Sequence, residues 1–187
     1  ERRSVTAYGW PRLQPVTRTC MRTSRAAVTI TLALALGISS ATAAVPPAYQ
    51  ACFEQAAQRY GLHALELAAH ACVESSMRAD AINDRHVART GSVDLGLMQI
   101  NSRWLPKLEP QGITRDRLLT DACTNIEVGA GILADLKKRH GDSWNATGAY
   151  NAACTQLKGE ACERARATYA WKVYGAMQAL ARRGACS

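Results

Sequence analysis

From Leu62 to Met77, apolar residues recur at helical intervals, with Leu62, Leu65, Ala68, Ala69 and Cys72 on one side, and the pattern contains Val73-Glu74-Ser75 near its end. This amphipathic helix therefore carries a carboxyl group close to its C-terminus, where aligned peptide dipoles disfavour an anion. A polar, Gly-containing loop follows, and then Gly96-Leu97-Met98-Gln99-Ile100-Asn101, a short apolar turn with two amide side chains. Apolar surface from Leu97, Met98 and Ile100 beside Glu74 would make its carboxyl resist ionisation. A carboxylic acid still protonated near neutral pH is what a general acid needs.

The remaining patterns are also helical. Pro46-Pro47 marks the start of the folded part, and Cys52, Phe53, Ala56 and Tyr60 lie at helical spacing before Gly61 stops that helix. Thr114 can cap a short helix through Leu119, and Thr120 or Asp121 can cap the next, which runs to His140 with Gly141 as its stop. Ile126, Gly129, Ala130, Leu133 and Leu136 form an apolar stripe there, so it reads as the central buried helix, with Asn125 bonding to loop backbone. Asp142 or Ser143 caps a further helix carrying Trp144, Ala149, Tyr150 and Asn151. The last helix, Glu163 to Arg183, sets Ala165, Tyr169, Val173, Ala176 and Leu180 on one side before Gly184 ends it. No long alternating strand pattern occurs. The fold class is mainly α, in a single domain.

The formal net charge of +8 is unevenly placed: residues 1–43 hold six Arg and one acid, while residues 44–187 hold 17 Lys plus Arg against 14 Asp plus Glu. Only +3 is left for the folded part, which gives no reason to expect a nucleic-acid partner. Met21, the basic Arg22 and Arg25, the apolar run Ala26 to Ile38 and the small residues Ala41-Thr42-Ala43 read as a signal peptide over 21–43, cleaved after Ala43. That run is too short for a comfortable membrane span. Residues 1–20 lie upstream of the signal and are read as an extension outside the fold, leaving 44–187 as the mature domain.

Six cysteines then remain: Cys52, Cys72, Cys123, Cys154, Cys162 and Cys186. An even number in an exported domain implies an oxidising compartment and up to three disulfides, with the connectivity left open. A local bridge from Cys154 to Cys162, closing a Gly-containing loop, is the one singled out. There is no CxxC pair and no HExxH, so neither a metal nor another cofactor is expected. Glu66, His70 and Glu74 are four residues apart and share a helix face. We read them as a partly exposed ion-pair stripe, with His70 a candidate to tune the pKa of Glu74.

Glu74-Ser75, then Gly96-Leu97-Met98-Gln99-Ile100-Asn101, then Ala149-Tyr150-Asn151 resemble the three-part signature of the lytic transglycosylase family with a goose-type-lysozyme-like fold. The resemblance runs from Val45 to about Ala181. It is closest to small single-domain members that serve secretion, conjugation and pilus machines. It implies a lysozyme-like fold in which the stretch from about Arg78 to Leu95 forms a small β-ribbon or loop lobe over the cleft. It also implies cleavage of the β-1,4 bond between N-acetylmuramic acid and N-acetylglucosamine in peptidoglycan, with release of a 1,6-anhydromuramoyl end.

Carried over residue by residue, Glu74 is the catalytic acid and base, and Ser75 steadies it. Met98 and Tyr150 wall out water, while Gln99, Asn101, Tyr150 and Asn151 orient the sugar's acetamido and hydroxyl groups. Asn83 stands near the acetamido, Tyr169 close to the catalytic carboxyl, and Gly96 gives the backbone room beside the sugar. Two departures concern the lid: Ala152-Ala153 follow Asn151 where many relatives have a Gly, and the interval from Glu74 to Gln99 exceeds that of housekeeping members. The implied partners are peptidoglycan glycan strands and protein components of an envelope-spanning apparatus, met by a monomer in the periplasm. Two alternatives stand beside this reading. One is a hydrolytic muramidase using Asp80, Asp84 or Asp94 to position water. The other is a non-catalytic wall-binding assembly factor.

Overall fold

The computed structural model describes Val45 and residues 47–186, so the upstream extension and the signal peptide expected over 1–43 lie outside the described residues. Helix α1 (Pro47–Tyr60) ends where Gly61 takes a positive φ, and helix α2 (Ala64–Ser75) follows directly. α2 is shorter than the periodicity suggests. Ser76 and Met77 both adopt left-handed backbone, and their N–H groups bond back to the carbonyls of Cys72 and Ala71. The run Leu67-Ala68-Ala69-His70-Ala71-Cys72 is buried, so α2 is a core helix and more than half of its circumference is covered. Small alanine side chains let neighbouring helices close in on several sides.

The polar stretch after α2 folds into a ribbon. Strands β1 (Ile82–Asn83), β2 (Asp94–Leu95) and β3 (Ile100–Asn101) pair antiparallel in that order, with Ile82 opposite Leu95 and Asp94 opposite Asn101. A one-turn helix, α3 (Val87–Thr90), sits between β1 and β2. Strands of two residues are too short to leave an alternating signal in the sequence.

Helices α4 (Leu105–Leu108) and α5 (Arg115–Thr120) lead to α6 (Ala122–His140). The caps are those expected: Thr114 accepts from Arg117 N–H and Asp121 from Thr124 N–H. Ser143 caps α7 (Trp144–Ala149). Helix α8 (Gly159–Arg183) starts one turn earlier than the sequence pattern, its first turn tied down by the Cys154–Cys162 disulfide. α1 packs on α6, α2 on α8, and α7 bridges α6 and α8. Gly148 allows the last contact, since a Cβ there would meet the Arg166 carbonyl at 2.4 Å. Cys52–Cys123 ties α1 to α6, and Cys72–Cys186 ties α2 to the residues that follow α8. Among the described residues no helix is long and apolar enough to cross a membrane, and no cluster of three candidate metal ligands occurs.

Candidate active site

Four pieces of chain meet at Glu74: the end of α2, the turn between β2 and β3, the residue after α7, and the inner face of α8. Glu74 is half-buried, and its Oε1 accepts the Tyr169 hydroxyl at 2.5 Å. Burial raises the Glu74 pKa from 4.5 to about 7, helped by the charge of Asp94. The Tyr169 hydrogen bond and the charge of Lys172 pull the other way without cancelling it. Tyr169 is itself buried beside Glu74, which raises its pKa and keeps it a hydrogen-bond donor.

Beneath this pair lies His70, fully buried, with Nδ1 2.9 Å from the Tyr169 hydroxyl and its ring 4.7 Å from that of Tyr150. Burial, then the charge of Lys137, lowers its pKa from 6.5 to about 3, so the imidazole is neutral. The partly exposed ion-pair stripe expected of Glu66, His70 and Glu74 is therefore corrected: Glu66 and His70 are buried, and only Glu74 keeps some exposure. Glu66 is buried as well and pairs with Lys137 at 3.0 Å, while accepting from Thr147 at 2.9 Å. Helices α6 and α7 close over this face and supply partners from outside α2.

The turn before β3 is pinned from both sides. Ser75 Oγ donates to the carbonyls of Ala71 at 3.2 Å and Leu97 at 2.7 Å, joining the end of α2 to the turn. Asn125 of α6 is fully buried; it accepts from Met98 N–H at 2.7 Å and donates to the carbonyls of Leu95 and Leu118 at 2.9 Å each. The sequence placed Gly96 beside the sugar, whereas the structure gives its open side to Asn125: a Cβ would lie 2.2 Å from Nδ2. Met98 is wholly buried against Gly129, in the core and off the cleft surface, and its carbonyl accepts the Tyr150 hydroxyl at 3.0 Å.

The amides divide into used and free. Gln99, in left-handed backbone, gives Nε2 to the carbonyls of Gly96 at 2.7 Å and Ala81 at 3.2 Å. Asn101 spends its Nδ2 within the ribbon, on Asp94 at 2.7 Å and Ser92 at 3.1 Å, and its Oδ1 caps Arg103 N–H. Asn83 donates to Asp94 at 3.4 Å. Asn151 is exposed, and its side chain enters none of the described hydrogen bonds. Sequence reasoning missed Lys172, whose only signal is its place one helical turn after Tyr169. It named Asp94 for a different role.

A groove of about 500 Å³ runs between α7 and α8, lined by Trp144, Arg166, Trp171 and Tyr174 among others. It belongs to the outward side of α8, where Trp171 and Tyr174 are exposed, whereas Tyr169 and Val173 face inward. Neither Glu74 nor any group bonded to it lines the groove.

A mainly helical scaffold built around a half-buried carboxyl raised to about 7 defines the class: a site suited to an enzyme that works by general acid catalysis. Comparison with known proteins agrees. Residues 51–172 match the family described as "Transglycosylase SLT domain". The chain is 40% identical over 127 residues to "Invasion protein IagB" of Salmonella typhimurium (68% of this chain, 75% of the relative). It is 32% identical over 123 residues to "Protein IpgF" of Shigella flexneri (66% and 76%). In fold it is similar to an inactive variant of the lytic transglycosylase Slt from Pseudomonas aeruginosa, with TM-score 0.53 and 22% identity, over 72% of this chain and 24% of that larger one. The chain belongs to the SLT-domain transglycosylase family and is a peptidoglycan lytic transglycosylase.

Proposed function

We propose that Glu74 is the catalytic acid and base of an intramolecular transglycosylation. The neutral carboxyl gives its proton to the glycosidic oxygen, and the bond from that oxygen to C1 of N-acetylmuramic acid breaks, freeing the 4-hydroxyl of N-acetylglucosamine. The substrate's acetamido oxygen stabilises the electron-poor C1. Glu74, now a carboxylate, takes the proton of the sugar's own 6-hydroxyl, whose oxygen closes on C1 to give the 1,6-anhydro ring. No water is consumed, and Glu74 regains its proton.

The observation that carries this reading is the solitary character of the acid. A retaining or inverting hydrolase flanks the bond with a second carboxylate. Asp94, whose charge reaches Glu74, has Oδ1 engaged by Asn101, and Oδ2 lies 3.4 Å from both Asn83 and His86. Asp80 and Asp84 are exposed. Substrate contacts are assigned accordingly. Asn151 and the side-chain oxygen of Gln99, whose amide nitrogen is already occupied, meet the acetamido and hydroxyl groups, with Tyr150 as a wall. Asn83, Asn101, Ser75 and Met98 shape the site from behind. Release of soluble fragments from purified peptidoglycan tests the role of Glu74. Glu74→Gln is expected to abolish release while still pelleting with the insoluble wall; undiminished release would contradict the assignment.

We further read the protein as a periplasmic monomer that opens the wall locally for an envelope-spanning secretion, conjugation or pilus apparatus. A relative described as an invasion protein and three disulfides suited to an oxidising compartment support this. N-terminal sequencing of the exported protein should begin at Ala44. In a deletion strain the apparatus should be restored by the parent and not by Glu74→Gln. Restoration by both would favour a non-catalytic assembly role.

A further inference from the structure

The buried imidazole of His70 has no part in the reaction just described, yet it sits in line with the acid. A carboxylate can only accept hydrogen bonds. When Glu74 is ionised, the hydrogen between its Oε1 and the Tyr169 oxygen must therefore be the tyrosine's. The Tyr169 oxygen is then left as an acceptor, and the group 2.9 Å from it, His70 Nδ1, must donate. A neutral imidazole holds one proton, so Nε2 is bare. Nε2 is buried and has no hydrogen-bond partner, and an N–H placed there would be an orphaned donor. Both ends of the chain therefore fix the same direction, from His70 through Tyr169 to Glu74.

We infer that His70 is a positioning residue for the catalytic proton: its Nδ1–H holds the Tyr169 hydroxyl as donor to Glu74 Oε1, so the neutral acid carries its proton on Oε2. Without His70, the Tyr169 oxygen is free to accept, and the acid proton can turn to Oε1 and point at tyrosine. With it, that turn is blocked, because the acceptor site on Tyr169 is taken. Oε2 has no partner among the described residues, so its proton is the one available to a glycosidic oxygen. The inference rests on Glu74 being the acid.

The charged and titratable surroundings oppose no part of this. Glu66 on α2 and Lys137 on α6 pair with each other at 3.0 Å. The Tyr150 ring packs on His70, and its hydroxyl donates to Met98. Asp94 of the ribbon and Lys172 of α8 act on Glu74 with opposite signs.

The test combines kinetics with a tautomer measurement. An O–H whose oxygen accepts a hydrogen bond is the stronger donor, so removing His70 weakens the bond that stabilises the Glu74 carboxylate. In the full protein, His70→Phe is expected to lower kcat about tenfold with KM nearly unchanged, and to move the basic limb of the kcat profile upward by roughly half a pH unit or more. His70→Asn, whose Nδ2 can stand in for Nδ1–H, should recover most of kcat and the parental limb. In a Tyr169→Phe background neither His70 substitution should move the limb further. The nitrogen-15 spectrum of the parent should show His70 protonated at Nδ1 and bare at Nε2, a readout that needs no variant to fold. The opposite tautomer, or an imidazolium, would overturn the inference. So would a parental limb in folded His70→Phe, or equal impairment in the Phe and Asn variants. Cleavage by Glu74→Gln would instead defeat the assignment of the acid and leave the tautomer result standing.

Discussion

Ser75 Oγ reaches across 22 residues of sequence to donate to the Leu97 carbonyl at 2.7 Å, so the residue after Glu74 anchors its helix to the turn before β3. The same hydroxyl lies 3.2 Å from the Ala71 carbonyl within α2, so its one hydrogen is shared between helix and turn, with the shorter arm on the turn. Ser75→Ala leaves a buried carbonyl short of a partner and should cost about 1–3 kcal/mol of stability. It should lower kcat more than it raises KM, since the acid loses its support and the substrate loses no contact. Urea unfolding and steady-state cleavage of peptidoglycan check the two effects separately.

Glu74 should also make the stability of the fold depend on pH. Its pKa rises from 4.5 to about 7 on folding, so between those values the native state binds more protons than the unfolded chain. The contribution is complete at low pH, and stability falls as pH rises through that window. Glu74→Gln removes the effect. The variant should be more stable than the parent at pH 8 by about 2–3 kcal/mol, the gap closing below about pH 4.5. Cleavage by the parent should decline above about pH 7 as the acid ionises. Unfolding curves at several pH values check the first statement and a pH–rate profile the second.

Asn125 is the internal fastener of the ribbon. Its one amide satisfies Met98 N–H and the carbonyls of Leu95 and Leu118, none of which has water at hand. Asn125→Ala strands all three groups at roughly 1–3 kcal/mol apiece, so a loss of at least 3 kcal/mol is expected in thermal or urea unfolding.

The aromatic groove on the outer side of α8 makes a sharp negative prediction. Trp171 is exposed and lines that groove, on the face of the helix turned away from Tyr169. Trp171→Ala should leave fragment release within about twofold of the parent, as surface substitutions usually do. A loss comparable to that of Glu74→Gln would move the chemistry to the wrong side of α8.

How much of this was legible in the sequence depends on the range of the interaction. Helix caps at Thr114, Asp121 and Ser143 act over three residues and can be read directly, as can the Gly stops at positions 61, 141 and 184. The bonding of Asn125 to loop backbone follows from a polar residue in a buried stripe, although not which loop it serves. His70 shows the limit. Its spacing from Glu66 and Glu74 is visible, but burial depends on α6 and α7, which lie about 50 to 80 residues away in sequence. The same holds for Gly96 and Met98: a turn residue reads as solvent-facing until the helix behind it is known. Among the disulfides, only the pair separated by 8 residues was local enough to single out.

The most direct test is the mass of the soluble products that the oxidised protein releases from purified peptidoglycan, measured beside Glu74→Gln. Anhydromuramoyl ends that disappear in the variant are the predicted result. Products heavier by one water would contradict the intramolecular step and make the enzyme a hydrolase.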